Sequence, residues 1–69
     1  MKIVITNFMK ECDLKWHFHS NTLFVSSSLT EKERKTAVEE CTYVIENAPK
    51  GTTQAMNLNG KLQYIVDLD

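Results

Sequence analysis

His17-Phe18-His19 sets two imidazoles two residues apart, on one side of a β-strand, where successive side chains alternate between faces. Two such histidines can chelate a metal once a further ligand arrives, and Cys12 or Glu11 is the nearest candidate. No third or fourth ligand follows at a recognised spacing, so the expectation is a pair of exposed strand histidines beside a turn, with no metal and no cofactor. The paired carboxylates point no more firmly to chemistry. Glu39 and Glu40 lie side by side on a helix and so diverge by about 100°, while Asp67 and Asp69 fall at a frayed terminus. No G-x-S-x-G nucleophile motif occurs, and two glycines cannot build a phosphate-cradling loop. A chain of 69 residues with one core also has little room for a water-excluding cleft, so catalysis is not expected. Cys12 and Cys41 are too few for the disulfide framework of a small secreted domain. A free buried thiol is the expectation, with a disulfide or a Cys/His metal site as the alternative.

The elements that must position these residues are organised around a helix from Leu29 to Pro49. Thr30 and Glu33 form a capping box at its start, and Ala37, Val38, Cys41, Val44, Ile45 and Ala48 follow as an apolar stripe at helical spacing. Pro49 and Gly51 end it. Glu31 to Lys35 mixes both signs, as a solvated first turn does. This is expected to be the only helix. Before it, Lys2 to Phe8 is a β-rich run without alternation, which predicts a central strand. Met9 to Asp13 reads as a connection or a single helical turn. Leu14 to Ser26 predicts a hairpin about Ser20-Asn21, in which Phe18 faces Leu23, His17 faces Phe24 and Trp16 faces Val25. Leu14, Trp16, Phe18, Leu23 and Val25 then share the face beneath the helix, with Lys15, His17, His19 and Phe24 on the other.

A second hairpin turns at Asn59-Gly60. Its last strand carries Leu62, Tyr64, Val66 and Leu68 on one face and Lys61, Gln63, Ile65 and Asp67 on the other. A two-residue turn would put Met56 and Leu58 opposite that apolar face. A longer loop through Lys61 would align all four and bury more apolar area, at about 25 cal/mol per Å², and is the expected form. The fold class is therefore α+β, in the order βββαββ: a single helix on one face of a mainly antiparallel five-stranded sheet, forming one domain over residues 1–69.

Composition limits the function. Eight Lys and Arg against nine Asp and Glu give a net charge of −1, neither the basic field of a typical nucleic-acid binder nor the excess of a DNA mimic. Hydrophobic residues make up 42% of the chain, with two Gly and one Pro, which marks a folded domain. A core this small supplies only about 3–5 kcal/mol, which favours homo-oligomerisation. No apolar run reaches the ~18 residues of a membrane span, and the opening residues are too soon polar for a signal peptide. A soluble, cytoplasmic protein is expected.

The segment from Asn21-Thr22-Leu23-Phe24-Val25 through Leu29-Thr30-Glu31-Lys32-Glu33-Arg34-Lys35 resembles the strand and helix start that precede the zinc motif of ImmA/IrrE-type HExxH metallopeptidases. Where that family has H-E-x-x-H, this chain reads Glu39-Glu40-Cys41-Thr42-Tyr43. Both zinc-binding histidines are missing, only Glu40 matches the catalytic glutamate, and the activity does not carry over.

The reading that remains is a non-enzymatic protein-binding module, an inhibitor or modulator of another protein. Chains of this size are common among phage and mobile-element proteins of that kind, an analogy of size alone. Phe24, His17 and His19, joined by Val4 and Ile65, should form an apolar sheet face that no helix covers. Tyr43, pointing away from the helical stripe, is a second candidate contact. Self-association is the simplest form of such binding. The alternative is a nucleic-acid-binding or transcription-regulatory protein that uses Lys15, His17 and Phe24 on the sheet.

Overall fold

The computed structural model describes residues 1–66. The long helix, α2, spans Glu31–Glu46. Thr30 caps it: the Glu33 amide donates to the Thr30 hydroxyl at 3.2 Å, and the Thr30 amide donates to the Glu33 carboxylate at 3.0 Å. Those bonds from Thr30 hold the Glu33 carboxyl below the usual carboxylate range. The helix ends at Glu46, before the expected Pro49, because Asn47 closes it. The Asn47 side-chain amide donates to the Tyr43 carbonyl at 2.8 Å, beside the bond that the same carbonyl accepts from the Asn47 backbone amide at 3.1 Å.

Five strands form one mixed sheet in the spatial order β1-β3-β2-β4-β5, made of β1 (Lys2–Thr6), β2 (Leu14–His19), β3 (Thr22–Ser26), β4 (Gln54–Leu58) and β5 (Lys61–Ile65). The β2–β3 hairpin has the expected register, Trp16 opposite Val25, His17 opposite Phe24 and Phe18 opposite Leu23. Ser20 and Asn21 both take positive φ, 52° and 58°, the mirror-image turn whose twist matches that of two paired strands.

Three expectations are corrected. First, β1 is not central. It pairs only with β3, in parallel, and occupies an edge with Ile3 and Ile5 49% and 56% exposed. The cause is a second helix, α1 (Asn7–Glu11), where only one was expected. Thr6 caps α1 through the Phe8 amide, and the buried Met9 anchors it across the end of the sheet as the chain passes over β3 to begin β2.

Second, the β4–β5 hairpin has the two-residue turn and not the longer loop: Leu58 pairs with Lys61 and Met56 with Gln63. Asn59 and Gly60 take φ of 46° and 90°, and the Gly60 amide donates to the Asn57 side-chain oxygen at 2.7 Å. Turn geometry outweighs the apolar area that the longer loop would bury. Met56 and Leu58 therefore face away from Leu62 and Tyr64. Third, a β-bulge between Leu14 and Trp16 shifts the start of β2. Leu14 is brought opposite Leu58, off the helix side, and Lys15 moves to the helix side. The expected strand positions of Asp67, Leu68 and Asp69 lie outside the described residues.

The fold is α+β, with the sheet mixed through its one parallel pair. Its core joins Trp16, Leu23, Val25 and Ala55 of the sheet to Ala37, Cys41 and Val44 of α2, with Phe18, Leu29, Val38 and Ile45 packed around them. Small side chains at Ala37 and Cys41 let the helix lie close over a sheet that carries a tryptophan. Among the described residues no helix is long and apolar enough to cross a membrane.

Trp16→Ala should cost about 3–5 kcal/mol, comparable to the whole stability of so small a domain, and circular dichroism should show it unfolded or nearly so. The two cysteines are free, Cys12 exposed and Cys41 buried. Burial, then the nearby Glu40 charge, push the Cys41 thiol up to about 11. A chromogenic disulfide reagent at neutral pH should thus titrate one thiol in native protein and two in denaturant. Because folding raises the Cys41 value, its contribution is complete below the unfolded thiol range and should fade as pH rises from there toward 11, which alkaline denaturation curves would read.

Candidate functional site

Strand alternation puts Val4, Phe24, His17, Met56 and Gln63 in one row across all five strands, on the side of the sheet away from α2. A parallel row holds Lys2, Thr22, His19, Gln54 and Ile65. Leu14 and Leu58 border the first row on its other side. The Phe24 ring lies 6.2 Å from His17, tilted by 37°, and the two imidazoles stack at 6.3 Å and 10°. His17 Nε2 is 3.1 Å from the Gln54 side-chain oxygen, which fixes the ring against β4. α2 packs on β3, β2 and β4 from the opposite side, and α1 meets β2 and β3 only at the sheet's end. The middle of this face, with Phe24 part exposed at its centre, is bare.

No acidic residue occurs in any of the five strands, and the lysines that alternation puts on this side, Lys2 and Lys61, stand at its margins. The surface is thus apolar and aromatic at its centre and cationic only at the rim. Of the candidate contact residues, Phe24, His17 and His19 are contiguous, and Ile65 joins them through Gln54. Val4 stands beside Phe24 as expected. Tyr43 is not part of this cluster: it is 69% exposed on α2, in the other layer. Lys15 also leaves the face, because the bulge turns it toward the helix, so a nucleic-acid surface built on Lys15, His17 and Phe24 loses its central cation.

Among the described residues no three His, Cys, Asp or Glu side chains gather to hold a metal ion. Glu11 and Cys12 stand beside the start of β2, whereas His19 is at its far end.

The helix side holds a feature the sequence reading missed. A cleft of about 180 Å³ is lined by Lys15, Trp16, Leu29, Glu33, Glu40 and Asn57. Asn57, 6% exposed, donates to the Glu40 carboxylate at 2.6 Å while accepting from Gly60. Glu40 is the residue aligned with a catalytic glutamate in the metallopeptidase resemblance. Here it holds Asn57, and the two histidines lie on the other side of the sheet. The signal that could have found this bridge was an asparagine at an inward position of β4, two residues before the turn. Asn57 links helix, strand and turn at once, so Asn57→Ala should cost about 1–2 kcal/mol in urea unfolding, by removing two part-buried hydrogen bonds, one to the Glu40 carboxylate and one from the turn amide.

Compared with known protein families, with curated proteins and with solved structures, the chain matches none.

Proposed function

We propose that this chain is a small non-enzymatic binding module that lays its bare sheet face on another protein in the cytoplasm and thereby inhibits or modulates it. One observation carries the reading. Val4, Phe24, His17, Met56 and Ile65 form a continuous surface on one side of the sheet, and among the described residues no element covers its centre.

Sheet geometry supports such a use. Side chains standing on a pleated surface are held by neighbours on both flanks, so little rotamer freedom remains to be lost on docking. An aromatic centre with a polar margin is also the usual anatomy of a protein interface. Tyr43, on the opposite layer, serves as a separate contact or as none. The absence of acids from the strands suits a partner whose own surface is apolar or mildly acidic.

The test compares wild type with Phe24→Asp. Wild type coupled to a matrix should retain a stoichiometric partner from its source cells, and Phe24→Asp should weaken that complex at least tenfold, as loss of a hot spot does, with an unchanged circular dichroism spectrum. Binding that falls steeply between about 50 and 200 mM salt would point to phosphate contacts and a nucleic-acid partner instead. Retention undiminished in Phe24→Asp would remove the sheet face from the interaction.

A further inference from the structure

The free edge of β1 is self-complementary, and we propose that two copies of this chain pair there as antiparallel strands, joining their sheets into one of ten strands. The inference does not rest on the docking role of the sheet face, because it concerns the edge and its backbone.

The hydrogen-bond phase of β1 follows from its two ends. The Lys2 amide donates to the Asn21 carbonyl at 3.1 Å, and the Thr6 carbonyl accepts from the Ser27 amide at 3.1 Å. In a parallel ladder alternate residues bond to the neighbouring strand, so Lys2, Val4 and Thr6 turn their backbone groups toward β3. Ile3 and Ile5 turn theirs outward. An antiparallel second copy centred on Val4 sets Ile3 opposite Ile5 of that copy, and Ile5 opposite its Ile3. Both outward residues then exchange both of their bonds, and the twofold axis passes through the Val4 pair, as an isologous interface requires. No other register satisfies Ile3 and Ile5 on both copies.

Side chains agree with the backbone. Ile3 and Ile5 stand on the helix side, 49% and 56% exposed, because α2 does not reach over β1. On the same side, at the start of β1, lies a groove lined by Met1, Phe18, Cys41 and Ile45. Pairing would bring four isoleucines together between two helices. It meets no like charge, since Lys2 falls opposite Thr6. β1 also lacks the devices that blunt an edge, with no proline, bulge or charge from Ile3 to Thr6. The other edge, β5, carries Lys61 and Gln63.

Light scattering across a dilution series should give wild type twice the chain mass. Ile3→Lys/Ile5→Lys should be a folded monomer, because like charges would face each other across the axis, and Ile3→Lys/Ile5→Glu should recover the dimer, because position 3 meets position 5. Val4→Cys in a Cys12→Ser background should form an interchain disulfide with oxidised glutathione, since a non-hydrogen-bonded pair has Cα atoms about 4.5 Å apart. That cross-link decides the matter if the lysine variant fails to fold. A wild type that stays monomeric, a dimer untouched by the two lysines or lost only in Leu62→Lys/Tyr64→Lys, or a Val4→Cys that does not cross-link would each overturn the proposal. The failure of these variants leaves partner capture by the sheet face to be judged by Phe24→Asp alone.

Discussion

One helix has to roof five strands, and it is too narrow to do so. Strands about 4.8 Å apart make a sheet roughly 20 Å wide, whereas a helix with its side chains is only about 10–12 Å across. α2 therefore seals the three middle strands, β3, β2 and β4, and leaves both margins uncovered. The core concentrates under it in Trp16, Leu23, Val25 and Ala55, and the isoleucines of β1 and Leu62 and Tyr64 of β5 stay partly in water on the same side. Among the described residues the other side has no roof except at the end closed by α1. The exposed isoleucines of β1 and the exposed Leu62 and Tyr64 of β5 are consequences of that mismatch in width.

What the sequence showed of this arrangement depended on how local the governing interaction is. The capping box of Thr30 and Glu33 and the Ser20-Asn21 turn are made by residues within a few positions of each other, and both were legible, the turn carrying the whole β2–β3 register with it. The Asn59-Gly60 turn was legible too, but weighing buried area over turn geometry gave the wrong partner face. A two-residue turn with two positive φ angles admits no slip, and the sheet accepts Ala55 and Asn57 beneath the helix in place of the larger Met56 and Leu58. β1 misled for a different reason. A run of β-branched residues is compatible with burial on both sides and with an edge alike, and only the path of α1 decides between them.

The sheet face was legible to the same depth. His17, His19 and Phe24 follow from one hairpin register and Ile65 from alternation, but their union into rows needs the β2–β4 and β1–β3 pairings, which join residues far apart in the chain. The displacement of Lys15 could not be foreseen, because a bulge adds one residue to one strand and leaves no compositional mark. The Asn57–Glu40 bridge went unread because the inward place of Asn57 follows from the two-residue turn register, while Glu40 alone reads as an ordinary polar helix position.

The parallel pairing of β1 has a consequence for the order of events in folding. β2 and β3 meet across a two-residue turn, a closure of microseconds, but Lys2 must find Thr22, with α1 and all of β2 between them. β1 is thus obliged to wait for β3. During that interval Ile3-Val4-Ile5 is an unsheltered adhesive segment, and once docked on β3 it is held within its own chain by a single ladder. In a lone copy the outward amides of Ile3 and Ile5 are the first to exchange hydrogen with solvent, and pairing of two copies at this edge would protect them.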